Sequence, residues 1–418
     1  MAVRDKKDKI KASPSAAAKA IAAFDAKFIK TYGTGSIVSD EAEIPYEVIP
    51  TGSITLDYYT GVGGYVRGRL TEVWGQDDIG KSFFLLQAAR EAQRVAPEQL
   101  VAWINTEKKW DWPWARVQGV DTSTRRFRLI EPQNAEDVAD AMKDAIRSGL
   151  FSLIVLDSIG AMIPEAEKEK DADEVVMAAQ AKIITRMVKI AAVEAQRTKT
   201  AVVMINQVRA NISAYGKDTQ AAGPFALKHC STLKIEMKGT ATKLRVGSEG
   251  KQLQVGHEVA MFLERNKVAQ AKRTAFVTFV TATTDRYGPI GIDRADEATT
   301  MGIKTGVIAQ NAGWYTNTLT GEKFNGRDTV VESLRNDQEG VDALREAIVA
   351  TMAGQVVAPE ESAIEVPEDE DEVEAEAEDV VAEGTAEAGA EVGEVGVAEM
   401  KGTGLFRTGA AAASGRSE

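Results

Sequence analysis

Apolar residues recur at two different spacings along this 418-residue chain, and the switches between them outline its elements. From Ser15 to Tyr32, residues Ala17, Ile21, Phe24, Phe28 and Ile29 fall four, three, four and one positions apart. That spacing predicts an amphipathic helix, which Gly33 ends. A polar loop separates it from the rest of the chain, so its apolar face must be covered by its own body or by a neighbouring subunit. From about Val48 onward, strand-like apolar runs alternate with helical stretches: Thr71–Trp74, Val101–Asn105, Phe127–Ile130, Leu153–Asp157, Ala201–Asn206, Leu233–Met237 and Ala275–Val280. Such alternation predicts an α/β fold of parallel βαβ units with a sheet covered on both faces. Beyond about Tyr287 the segments shorten around turns at Asn311-Ala-Gly-Trp314 and Asn325-Gly-Arg327, with a last helix near Val341–Met352. The expected divisions are a helix and linker over residues 1–38, the core over 39–286, a small α+β domain over 287–354 and a tail over 355–418.

Composition alters this outline in one place. Hydrophobic residues make up 44% of the chain, ample for a sizeable core. No apolar stretch is long enough to span a bilayer, and Met1 to Ser13 lacks a secretory apolar segment, so a soluble cytoplasmic protein without a membrane partner is expected. The single cysteine, Cys230, excludes an internal disulfide, and with only His229 and His257 there is no Cys/His metal site. Cys230 is expected to be a small core residue. From Gln355 to Glu418, 18 acidic residues face Lys401, Arg407 and Arg416, so the tail carries −15 of the net −13 and the body is left with +2. Glu368-Asp-Glu-Asp-Glu372 and the Glu/Ala/Val/Gly repeats after it lack aromatics and amphipathic period, which predicts disorder. Such a tail either solubilises the protein or competes with nucleic acid for basic surface on the body.

Chemistry concentrates in Gly75-Gln-Asp-Asp-Ile-Gly-Lys-Ser82, a complete phosphate-binding P-loop. The apolar run Leu70–Trp74 before it suits a buried strand, and Phe83 to Ala89 continues as a helix, which puts the loop's amides at a helix N-terminus. Glycines let the backbone wrap a β-phosphate, Lys81 supplies charge for β and γ oxygens, and the Ser82 hydroxyl can ligate Mg²⁺. The run Ser152–Leu156 ends in Asp157, placed to hold the metal through water. Val101–Ile104 ends in Asn105-Thr-Glu107, where Glu107 is the best-placed general base.

At these residues the chain resembles the RecA recombinases of bacteria and phages. Tyr32-Gly-Thr-Gly-Ser-Ile37, Ile49-Pro-Thr-Gly-Ser-Ile-Thr-Leu-Asp57, Gly61-Val-Gly-Gly64 and Gly68-Arg-Leu-Thr-Glu-Val-Trp-Gly75 carry the likeness. It continues through Asn105-Thr-Glu107, Asp111 to Asp121, Ile154–Ser158, Ile205-Asn-Gln-Val-Arg209, Ala226-Leu-Lys228 and Arg265-Asn-Lys267, over roughly residues 15–350 in one order. Three departures stand out: Lys168-Glu-Lys170 lies among acids, Gly223-Pro224 replaces a Gly pair, and Asn105 replaces an acidic residue beside Glu107. The acidic tail is also longer than the family usually carries.

The resemblance implies a P-loop ATPase core with an N-terminal polymerisation helix and ATP and Mg²⁺ as cofactors. Gly75, Gln76, Asp77, Asp78, Ile79, Gly80, Lys81, Ser82 and Phe83 would surround the triphosphate, with Ser82 and Asp157 on the metal. Asp111 and Trp114 would meet the adenine, Glu107 would activate water, and Gln207 would sense the γ-phosphate. Arg265 and Lys267 would reach the ATP of a neighbouring subunit, so that hydrolysis requires a filament. DNA would be met by a loop from about Glu165 to Met177, by the helix after it with Lys182, Arg186 and Lys189, and by a second loop from Arg209 to Lys228. That second loop holds Tyr215, Lys217 and Gly223. The implied activity is ATP-dependent pairing and exchange of single-stranded with double-stranded DNA by a homo-oligomeric filament in a bacterial or phage-infected cell, assisted by single-strand-binding and mediator proteins. The alternatives are a ring-forming or regulatory ATPase of the same fold without strand exchange, and a hexameric helicase, for which residues 1–40 are too few to form the expected extra domain.

Overall fold

The computed structural model describes residues 16–32, 46–165, 174–210, 219–221, 223–247 and 251–352. The linker before residue 46, most of the first expected DNA loop, Tyr215 and Lys217 in the second, and the acidic tail lie outside the described residues.

After a short ribbon of β1 (Val48–Ile49) and β2 (Tyr65–Val66), the chain builds a ten-stranded sheet. Its strands are β3 (Leu70–Gly75), β4 (Leu100–Asn105), β5 (Phe127–Ile130), β6 (Phe151–Asp157), β7 (Ala201–Ala210), β8 (Thr219–Ala221), β9 (Ser231–Val246), β10 (Leu253–Asn266), β11 (Thr274–Val280) and β12 (Gly291–Ile292). The order is β12-β11-β10-β9-β3-β7-β6-β4-β5, with β8 on β7. From β9 to β5 every pairing is parallel. Because helices cover both faces there, β3 and β6 are buried at every position, which is why they read as continuous apolar runs. Alternate residues then fill two cores: Val101, Trp103 and Val155 pack beneath the helix Lys81–Val95, and Ala102, Ile104 and Ile154 beneath the helices Ala135–Ser148 and Glu174–Thr198. Half-buried Cys230 packs against the second core.

The other flank corrects the expectation of βαβ units throughout. β9, β10, β11 and β12 pair antiparallel, so Ala275–Val280 belongs to a hairpin ladder. The connection Lys267–Arg273 is too short for a parallel crossover, which needs about a dozen residues. β10 is absent from the apolar runs of the sequence because three register shifts against β9 interrupt its alternation.

A second, three-stranded sheet of β13 (Ile308–Asn311), β14 (Trp314–Asn317) and β15 (Lys323–Asn325) comes next. Ala312 and Gly313 take positive φ values of 44° and 87° to turn β13 into β14. With the helices Arg294–Thr305, Arg327–Arg335 and Gln338–Met352, this sheet encloses its own apolar cluster, which Ile54 and Tyr58 enter from the helix Ile54–Thr60. Polar bonds lock that seam. The Arg345 guanidinium donates to Asp57 at 2.9 Å, and Glu297 lies 2.5 Å from the Ser53 hydroxyl while accepting the Ile54 N–H at 2.9 Å. Burial pushes the Glu297 carboxyl up to about 8 and Asp57 up to about 6.

The N-terminal helix, Ala16–Tyr32, leaves its apolar face open: Ile21 and Phe24 are 61% and 60% exposed. Phe24, Phe28 and Tyr32 stack along it with ring centroids 5.5 and 4.4 Å apart. Of the two covers expected for that face, its own body supplies none among the described residues. No described helix is long and apolar enough to cross a membrane.

Candidate nucleotide site

β3 ends at Gly75, where a Cβ would come within 2.4 Å of the Met237 carbonyl oxygen, so only glycine lets the chain leave the sheet here. The loop then passes through Asp78 and Gly80 at φ values of 58° and 94° and enters the helix at Lys81. Side chains of four parallel strands meet at this end. The buried Lys81 ammonium donates to the carbonyls of Gly75 and Gln76 at 2.8 and 2.6 Å, and lies 3.8 Å from Asp77. Burial pulls its pKa below the usual lysine value, opposed by Asp77, Glu107 and Asp157. Ser82 Oγ donates to Asp157 Oδ2 at 2.7 Å. Burial raises Asp157 to about 6, against the Ser82 bond and with the Glu107 charge.

Glu107 leaves the end of β4, which is stitched to β6 by Thr106: its hydroxyl donates to the Ser158 carbonyl and accepts the Ser158 N–H. Glu107 Oε1 accepts from Ser158 Oγ at 2.8 Å and from Gln207 Nε2 at 3.3 Å, and Oε2 lies 3.4 Å from Lys109 Nζ. Gln207 stands on β7 directly over Gly160, where a Cβ would meet its Oε1 at 2.8 Å. The base expected from sequence and the expected γ-phosphate sensor are therefore hydrogen-bonded to each other. Asn105, also on this side of the sheet, donates to Glu131 at 2.7 Å and not to Glu107.

These groups line one cavity of about 570 Å³. Asp77, Asp78, Gly80, Lys81, Ser82, Phe83, Glu107, Asp111, Trp114, Asp157 and Gln207 all reach it. Gly75, Gln76 and Ile79 are not among its walls; the first two hold Lys81 through their carbonyls. Asp111 caps the helix Trp112–Val117 by accepting the Trp114 N–H at 2.9 Å, and Trp114 packs 6.0 Å from Phe83. The sequence reading did not assign Trp103, Trp110 or Lys109 to this wall. The density of tryptophan from Trp103 to Trp114 was the available signal. The donors that meet at Ser82 and Asp157 are hard oxygens, a hydroxyl and a carboxylate, which fit Mg²⁺.

Arg265 and Lys267 lie elsewhere. β10 runs antiparallel to β9, and Arg265 pairs with Lys234, which pairs with Glu72 near the start of β3. The two cations thus sit at the end of the sheet opposite the P-loop and are not part of the cavity wall. Arg265 donates to the Lys228 carbonyl at 2.6 Å and Lys267 to the His229 carbonyl at 2.5 Å, on the short helix Phe225–Cys230. Partial burial, with Arg265 nearby, holds Lys267 below the usual lysine value. Lys182, Arg186 and Lys189 are exposed at positions four and three apart on the helix Glu174–Thr198, so they share one face. Lys228 and Gly223 are also exposed. The side chains of Met177 and Arg209 lie outside the described ones.

Comparison with known proteins agrees with this arrangement. A family profile described as the RecA N-terminal domain matches residues 19–284. The protein RecA of Thermotoga neapolitana is 33% identical over 328 residues, covering 76% of this chain and 89% of the relative. That of Thermotoga maritima is 32% identical over 319 residues, covering 74% and 85%. That of Paenarthrobacter aurescens is 30% identical over 347 residues, covering 82% and 95%. With the parallel sheet, the P-loop and the cavity in the same part of the chain, these matches establish that the chain belongs to the RecA family.

Proposed function

We propose that this protein is an ATP-dependent homologous recombinase that assembles on single-stranded DNA as a filament, pairs it with duplex and exchanges strands. One observation carries the reading: Lys81, Ser82, Glu107, Asp157 and Gln207 converge on one cavity, while Arg265 and Lys267 occupy the opposite end of the same sheet. A site divided in this way is completed by stacking a second copy, whose cations meet the first copy's phosphates. The open apolar stripe of the helix Ala16–Tyr32 supports the same assembly.

In this mechanism the loop amides and Lys81 bind the triphosphate, with Asp111, Phe83 and Trp114 at the base. Mg²⁺ would be held by Ser82 and, through water, by Asp157, and would neutralise phosphate charge. Glu107 takes the proton of the attacking water, and its bond from Gln207 gives the γ-phosphate a route to β7. β7 leads into the second DNA loop, so phosphate occupancy at Gln207 is linked to the order of that loop. The proposed divisions remain 1–38 for polymerisation, 39–286 for ATP and DNA, 287–354 as a small domain and 355–418 as an acidic tail.

Imaging by electron microscopy with ATP and single-stranded DNA, beside a strand-exchange assay, tests the proposal. Helical filaments and joint-molecule products are expected. A DNA-free ring without exchange would overturn the reading in favour of a regulatory ATPase.

A further inference from the structure

The two oxygens of the Glu107 carboxylate are held differently. Oε1 accepts from Ser158 Oγ at 2.8 Å and from Gln207 Nε2 at 3.3 Å, which fills its two lone pairs. Oε2 is the oxygen left for a ligand, and it lies 3.4 Å from Lys109 Nζ. The backbone under that ammonium group is anchored on both sides. Before it, Lys108 takes a positive φ of 58° while its own Nζ donates to the Pro132 carbonyl at 2.6 Å. After it, Trp110 packs against Trp103 and Phe127, each with its ring centroid 5.1 Å away. Between these anchored neighbours the Lys109 side chain is 80% exposed, and it reaches the wall of the cavity that Lys81, Ser82, Asp157 and Gln207 also line. Lys109 falls between Asn105–Glu107 and Asp111–Asp121, two of the stretches that carry the family likeness, so that likeness assigns it no role.

We propose that Lys109 is a further phosphate-binding cation supplied by the same subunit, whose ammonium turns from Glu107 Oε2 to the γ-phosphate when ATP enters. The role rests on the reading of the cavity as a nucleotide site. An exposed ion pair is worth little, and a terminal phosphate carries more negative charge than one carboxylate, so the exchange is favourable. The flexible lysine stem makes it without moving the anchored backbone. Two consequences follow from the one movement. It uncovers Oε2 for a water, and it sets a positive charge against the phosphate oxygens where charge is redistributed in the transition state. The water oxygen then bonds to phosphorus, its proton passes to Oε2, and the electron pair of the broken P–O bond leaves on ADP. Once the γ-phosphate has gone, Lys109 returns to Glu107 and covers the base again. Lys109 therefore acts on ATP and not on ADP.

The test is calorimetric binding of ADP and of the imido analogue AMP-PNP, each with Mg²⁺, to the full-length, DNA-free protein. Lys109→Met keeps the stem and removes the charge. It should weaken AMP-PNP about three- to tenfold and leave ADP within about twofold of wild type. Lys109→Arg, which restores a cation, should hold AMP-PNP within about twofold. Unchanged AMP-PNP affinity in Lys109→Met, an equal loss for both nucleotides, or an equal loss in both variants overturns the proposal. Single-turnover phosphate release on single-stranded DNA gives a second reading: Lys109→Met should slow it about tenfold. Faster release would mean that Lys109 only masks the base, and would overturn the proposal. A wild-type protein that binds neither nucleotide overturns the nucleotide reading and this inference with it. Should Lys109→Met fail to fold, Lys109→Gln carries the same comparison.

Discussion

The two ends of the large sheet hold their charged groups differently. Where β3, β4, β6 and β7 finish, Asp157 is bonded to Ser82 and Glu107 to both Ser158 and Gln207, so the side chains fix one another. Where β3 and β9 start and β10 finishes, Arg265 and Lys267 hold backbone carbonyls of a short helix. A neutral carbonyl is a weaker partner for a cation than a phosphate is, so these bonds can be exchanged for a charged ligand. The P-loop end is preorganised by its own chain. The opposite end is provisionally satisfied by neutral carbonyls, and in the proposed filament its cations would turn to a neighbour's phosphates.

The largest effects should come from the preorganised end. Lys81→Ala should abolish hydrolysis and most ATP binding, whereas Glu107→Gln should keep binding and assembly while turnover falls about 10²- to 10⁴-fold. Equilibrium binding and single-turnover phosphate release separate the two, and wild-type turnover in Glu107→Gln would remove Glu107 from its role. At the provisional end, Arg265→Ala or Lys267→Ala should lower DNA-stimulated ATPase with little change in thermal unfolding. Mixing Lys267→Ala with Glu107→Gln should restore part of the rate, because some interfaces then pair an intact base with intact cations. If confirmed mixed filaments show no recovery at any ratio, the two ends do not share a site.

A smaller effect should mark the seam at the helix Ile54–Thr60, which belongs to neither end. Glu297 and Asp57 are raised to about 8 and 6 from ordinary values of 4.5 and 3.8, so the native chain holds protons that the unfolded chain has released. Their contribution is fully present below about pH 4 and is lost as pH rises through 6 and then 8, on the order of a few kcal/mol. Urea midpoints at pH 5.5 and 8.5 check this: wild type should be less stable at the higher pH, and Glu297→Gln should flatten the difference. Equal pH slopes in the two proteins would dismiss the seam as the cause. The smallest effect concerns the tail of charge −15. Ending the chain at Gly354 should tighten duplex binding about three- to tenfold at low salt, less at high salt, and leave single-strand-dependent ATPase nearly unchanged. Equal affinities and salt slopes would make the tail a solubiliser.

How much of this was legible in the sequence depends on the range of the interactions. Lys81 and Ser82 were readable from the P-loop motif, Asp157 and Glu107 because they follow apolar runs, and Gln207 through the family resemblance, and parallel strands bring these positions together. β10 was not, because its irregular register hides its period. Nor was the seam, since Ser53 and Glu297 are 244 residues apart and nothing local distinguishes that glutamate from a solvated one. Nothing local in the sequence signals that His257 comes to stand edge-on to Phe279 of β11. The departure at Asn105 also became clear only in three dimensions, where its amide serves Glu131.

Placing the cavity and Arg265/Lys267 at opposite ends of one sheet gives any linear assembly a direction. In the proposed filament one terminal subunit would present an empty cationic face and the other a pocket that no neighbour completes. The proposed filament would therefore have one fewer working site than it has subunits, and turnover per subunit should climb with length toward a plateau. The subunit with the uncompleted pocket would hydrolyse its nucleotide last, so the two tips of such a filament would differ in nucleotide state.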